Sequence, residues 1–157
     1  GSAMRVSPVA FYSDDLKEVL QLAEASADIT HNHPEGIKGA VAIAHCIWMA
    51  NNNFSKEDIR QEVTENYYKL DFSIDDIREE YGFEPTCQKS VPQAIECFLE
   101  GDSYEDVIRT CISLGGDSDT IACMAGGIAE AFYGVPEDIA QKAFDILEEG
   151  GIYDEMD

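Results

Sequence analysis

The sequence predicts an all-α protein, a bundle of helices joined by short loops, on three observations. Apolar residues recur at three- and four-residue spacing through most of the chain. Capping residues, acids or a proline stand in front of each such segment. No alternating strand pattern of useful length occurs, apart from a candidate in the first dozen residues. The 157 residues suit one domain, 1–157, and 45% hydrophobic with 27% charged residues is a globular composition.

The elements follow in order. Ser13-Asp14-Asp15 is a helix start with acids in the first turn, ahead of Leu16, Val19, Leu20 and Ala23. Pro34-Glu35 opens a second helix that is apolar on nearly every face from Ile37 to Met49, so it should be central and enclosed. Ser55-Lys56-Glu57-Asp58 and Ser73-Ile74-Asp75-Asp76 are capping boxes with Asp in place of Glu. Pro92 begins a short helix through Ile95 and Leu99, and Ser103 begins another that ends at Leu114-Gly115-Gly116. The Ala-, Gly- and Ile-rich stretch from Ser118 to Tyr133 should again be interior. Pro136 at the first turn and Gly150 past the last bracket a final helix, with Ile139, Ala143, Phe144 and Leu147 facing inward. Trp48, Tyr67, Tyr68, Phe83 and Phe132 are expected to pack in or against the core.

Charge narrows the classes of function. The chain holds 32 acids against 10 bases, a formal charge of −22. Nucleic acid and anionic membranes are bound by Lys and Arg neutralising phosphates, so neither is an expected partner. A small anion is still admissible where backbone amides, an Arg or a cation reverse the local field. No apolar run approaches the ~20 residues of a membrane span. The five cysteines form no C-x-x-C pair, and Cys46 and Cys123 sit within apolar helical runs. They suit small buried hydrophobes in a reducing, cytoplasmic setting.

Three stretches break the pattern of core and surface. Gly115-Gly116-Asp117-Ser118-Asp119-Thr120 places two carboxylates and a hydroxyl at a helix start behind a double glycine. Oxygen donors without sulfur or imidazole suit Mg²⁺, Mn²⁺ or Ca²⁺, whereas ordinary helix capping explains one such residue but not three. Both readings stand. An EF-hand is excluded, since Ile121 and Ile128 occupy positions where its loop needs oxygen ligands. Thr30-His31-Asn32-His33-Pro34 puts two imidazoles in the loop feeding the central helix. A zinc site lacks further ligands of suitable spacing; hydrogen bonding to a polar ligand and simple bonding to nearby backbone remain as alternatives. Gly1-Ser2-Ala3-Met4-Arg5 carries one of the few cations, open equally to an anion contact or a structural ion pair.

Taken in order, Gly-Ser-Ala-Met-Arg, Thr-His-Asn-His-Pro and Gly-Gly-Asp-Ser-Asp-Thr before an Ala/Gly-rich helix resemble the ADP-ribosylglycohydrolases. The resemblance runs over nearly the whole chain, and its most specific part is Gly-Gly-Asp-x-Asp-Thr. It implies an orthogonal multi-helix bundle with a cleft for two divalent ions, Mg²⁺ or Mn²⁺. It also implies hydrolysis of the bond joining ADP-ribose to an acceptor. Carried over residue by residue, Asp117, Asp119 and Thr120 would be metal ligands. Gly1, Ser2 and His31 would contact ADP-ribose, with Gly115 and Gly116 permitting close backbone approach.

The family's second ligand set, a Thr-Asp-Asp or Ser-Asp-Asp element, and a carboxylate for acid/base work lie in an N-terminal half not seen in this sequence. Ser13-Asp14-Asp15 falls after Ala-Met-Arg and is read as a cap instead. The resemblance therefore implies that Gly1 and Ser2 are native and that the chain is the C-terminal part of a longer protein. A partner is expected, either the missing N-terminal fragment or a second copy. Two alternatives carry forward: a non-catalytic ADP-ribose or nucleotide-binding module, and a purely structural helical module.

Overall fold

The computed structural model describes residues 1–83 and 86–150. Its helices are α1 (Ser7–Ala10), α2 (Leu16–Asp28), α3 (Pro34–Asn51), α4 (Lys56–Asn66), α5 (Ile74–Ile77), α6 (Val91–Glu100), α7 (Tyr104–Leu114), α8 (Ser118–Tyr133) and α9 (Glu137–Glu149). A single 3-10 turn, Cys87–Lys89, precedes α6. No strand occurs among the described residues, so the all-α expectation holds. The first dozen residues form turns and α1 rather than a strand. Pro8 at the start of α1 is the local reason, because its fixed φ suits a first helical turn and it has no amide for a ladder.

Local chemistry sets most boundaries. Ser55 and Ser73 each close a full capping box, with Asp58 and Asp76 returning a bond to the cap amide. Ser103 accepts from the Asp106 amide, and Asp15 rather than Ser13 caps α2 by accepting from Lys17. Gly150 ends α9, as the sequence predicts, at φ −77°.

The core is built around α3 and α8. α3 packs on α2, α8 and α1, while α8 also packs on α7 and α6. From Ala42 to Ile47 every residue of α3 is buried, His45 included, as a helix that is apolar on nearly every face requires. Ile121, Met124, Ala125, Ile128 and Ala129 bury the facing side of α8. Cys46, Cys97 and Cys111 are buried, but Cys123 is exposed on α8, contrary to the sequence reading. Phe83 is also exposed, at 69%. Trp48, Tyr67 and Phe132 are half-buried and Tyr68 is buried.

Helix α9 departs further from expectation. None of its residues is buried, Phe144 is 50% exposed and Ile146 68%. Periodicity reveals a face suited to burial, not whether the chain itself supplies its cover. A second apolar surface lies between α1 and α2, a groove of about 520 Å³ lined by Pro8, Val9, Tyr12, Leu22, Ala25 and Ile29.

One polar side chain ties α4 to the end of α6. Lys56 donates to the carbonyls of Leu99, at 3.2 Å, and Gly101, capping the C-terminus of α6. Its ammonium also lies 5.3 Å from the Tyr133 ring centre and 5.5 Å from that of Phe98.

His45, 7% exposed on α3, meets the Tyr67 hydroxyl at 2.9 Å and Glu62 at 3.6 Å. Burial lowers its pKa, and the nearby Glu62 carboxylate opposes that shift without overcoming it. The folded imidazole thus binds its proton less readily than the unfolded one. This contribution to stability is present above the ordinary value of 6.5 and is lost as pH falls below it. Melting temperature should therefore fall more steeply between about pH 7.5 and 5.5 in the wild type than in His45→Leu. Parallel slopes would remove His45 as a cause.

Candidate functional site

The N-terminus of α8 holds the densest group of oxygen donors singled out from the sequence. Gly115 and Gly116 bring the chain to it with φ +74° and +60°, a conformation that side chains disfavour. A Cβ on Gly116 would also lie 2.6 Å from the Gly82 carbonyl oxygen, whereas Gly115 faces open space. Gly116 is thus bare because the Gly82 backbone and the Tyr81 ring fill the position, whereas Gly115 leaves open space.

Asp117 occupies the N-cap of α8, yet its side chain bonds no first-turn amide. The Thr120 hydroxyl instead donates to Asp117 Oδ1 at 2.9 Å. Capping therefore does not account for this carboxylate, in contrast to Ser55, Ser73 and Ser103. Asp119 is exposed in the first turn, so both acids stand near the positive end of the helix. The three side chains offer only hard oxygen donors and fit a divalent cation in chemistry, but they cannot fill six positions. No cluster of three or more His, Cys, Asp or Glu able to hold a metal occurs among the described residues. The donors amount to part of a site.

The 1–5 segment lies along α8 and against the start of α3. Ser2 is fully buried, and its hydroxyl donates to the Gly36 carbonyl at 2.8 Å. Its side chain thus ties the segment to the first turn of α3. The Cys123 thiol, one turn after Asp119, donates to the Met4 carbonyl at 3.4 Å. Burial and the neighbouring Asp119 carboxylate raise the pKa of that thiol. The contact joins the face of α8 carrying Asp119 to the segment carrying Gly1, a link that sequence reasoning missed because Cys123 resembled a core residue.

The structure separates the two loop histidines. His33 caps α3, its Nδ1 accepting from the Glu35 amide at 3.2 Å. His31 instead abuts Gly1: a Cβ on Gly1 would lie 2.8 Å from His31 Cε1 and 2.9 Å from Nε2. Its pKa is lowered by burial first, and the positive charge of Arg5 acts in the same direction. The Arg5 guanidinium donates to the Ser26 carbonyl at 2.8 Å and to Thr30 Oγ1. Gly1 and His31 are thus in direct contact with Ser2 tied beside them to Gly36, and Asp117, Asp119 and Thr120 are grouped by the first turn of α8.

Comparison with known proteins bears on this arrangement. The ADP-ribosylglycohydrolase family model matches residues 1–156. The chain is 31% identical over 181 residues to "ADP-ribosylhydrolase ARH3" of Gallus gallus, covering 85% of this chain and 49% of that protein. It is 30% identical over 191 residues to the Homo sapiens protein of the same name, covering 90% and 53%. Among solved structures, an "ADP-ribosylglycohydrolase-related protein complex" superposes with a TM-score of 0.71 at 21% identity, over 87% of this chain and 51% of that one. The chain spans about half the length of the relatives it matches.

Proposed function

The chain belongs to the ADP-ribosylglycohydrolase family, and we propose that it contributes the C-terminal half of a site that hydrolyses the bond between ADP-ribose and an acceptor. The observation that carries this reading is Asp117, a carboxylate at a helix N-cap that does not cap and is aligned with Thr120. Asp117, Asp119 and Thr120 would hold a divalent cation, Mg²⁺ or Mn²⁺. Such an ion, when bound, polarises oxygen ligands and orients ribose hydroxyls. The remaining ligands, and the carboxylate that works as acid and base, would come from polypeptide matching the rest of the relatives' length.

His31 and the backbone around Gly1 supply hydrogen-bond donors for the anionic diphosphate. An acidic protein needs such local donors, because its overall field repels the ligand. The apolar groove between α1 and α2 and the exposed stripe of α9 fit the same account, as surfaces for the complementary half. A second copy suits them less well, since two chains of −22 repel one another.

Calorimetry with ADP-ribose and Mg²⁺ tests the reading on this chain, which should bind ADP-ribose while turning over little substrate alone. Failure to bind would contradict it. The incomplete donor set favours one second reading, a binding module without chemistry. Binding with no turnover after the complementary half is added would select that module. Cys123 offers an independent probe, as the exposed thiol beside Asp119. Iodoacetamide should alkylate Cys123 ahead of the buried cysteines, and ADP-ribose should slow that labelling. Peptide mass spectra showing equal labelling with and without ADP-ribose would place the ligand elsewhere.

A further inference from the structure

A neutral imidazole donates from one ring nitrogen and accepts at the other, so its use to a ligand depends on which nitrogen holds the proton. Around His31 two neighbours make that choice. Arg5 is a permanent cation with donors only, and its Nη2 gives hydrogens to the Ser26 carbonyl and to Thr30 Oγ1. Thr30 Oγ1 in turn lies 2.7 Å from His31 Nδ1. A hydroxyl has one proton, and Arg5 already occupies a lone pair of this one. The acceptor that Thr30 Oγ1 meets among the described residues is Nδ1. The proton therefore points at Nδ1, which must be bare to receive it, and the ring's own proton belongs on Nε2. That nitrogen is on the edge facing Gly1, where a side chain would collide.

We infer that Arg5 and Thr30 are positioning residues that lock neutral His31 in its Nε2–H form, aiming one donor past Gly1 at an oxygen of ADP-ribose. The inference rests on the proposed function for the identity of the ligand but not for the tautomer. Doubly protonated His31 would have to break the Thr30 bond or turn the hydroxyl away, and the charge of Arg5 opposes it. The relay thus holds a directed, uncharged donor in a segment whose glycine leaves the approach open.

Two-bond ¹H–¹⁵N spectra of the labelled chain separate the parts of this proposal. Wild-type His31 should show protonated Nε2 and bare Nδ1, with the Nε2 signal moving when ADP-ribose and Mg²⁺ are added. Thr30→Val keeps the shape and removes the hydroxyl, so the Nδ1–H form should appear and ADP-ribose binding should weaken about tenfold. Thr30→Ser should restore both. The proposal is overturned by a wild-type ring protonated on Nδ1, or by a Thr30→Val spectrum identical to wild type. An Nε2–H ring that responds to Thr30→Val but ignores ADP-ribose supports the relay and rejects the ligand.

Discussion

Asp117→Ala, in protein complete over the relatives' length, is expected to reduce Mg²⁺- or Mn²⁺-dependent release of ADP-ribose about a thousandfold, since losing a metal ligand forfeits several kcal/mol. The size of the effect follows from what Asp117 does not do. Its carboxylate satisfies no helix amide, so its removal would withdraw the proposed ligand while α8 keeps its backbone bonds. Melting temperature should move little, which separates loss of the site from loss of the fold. Rates of ADP-ribose release at saturating Mg²⁺ check it, and turnover equal to wild type would remove Asp117 from the ligand set.

The second large effect concerns stability. Glu96 on α6 is 2% exposed and accepts both Arg60 bonds from α4, Nη1 to Oε2 at 3.0 Å and Nη2 to Oε1 at 2.6 Å. Burial raises the Glu96 pKa, and the Arg60 guanidinium opposes that rise. Removing Arg60 strands a buried carboxylate, a change that typically costs ~3–5 kcal/mol. Arg60 itself is about one-third exposed, its side chain 34% accessible, so water can partly replace it. Arg60→Ala should therefore cost ~2–3 kcal/mol, lowering the melting temperature by roughly 5–10 °C in a domain of this size. Arg60→Met with Glu96→Leu should recover most of that loss, because no charge is then left buried. Calorimetric melting decides it; a single variant that melts like wild type would show that Glu96 finds another partner.

Most of the helices were legible because their signals are local. The Ser55 and Ser73 boxes, the Ser103 cap and the largely apolar sequence of α3 depend on neighbours a few residues away. What the sequence misjudged depends on distant neighbours. The apolar face of α9 has its expected period, but whether it is covered is decided by packing, which no local pattern encodes. Cys123 lies between apolar residues of a buried helix and still faces outward beneath Met4, 119 positions away. The candidate site divides the same way. Asp117, Asp119 and Thr120 stand within four residues and could be found by their spacing. The separation of His31 from His33, and the joining of Arg5 to Thr30, required the fold.

The most direct test of the account is anomalous scattering from a manganese-soaked crystal of protein complete over the relatives' length. The account predicts a peak bounded by the Asp117 and Asp119 carboxylates and the Thr120 hydroxyl. A well-ordered α8 N-terminus with no anomalous peak beside those side chains would contradict it.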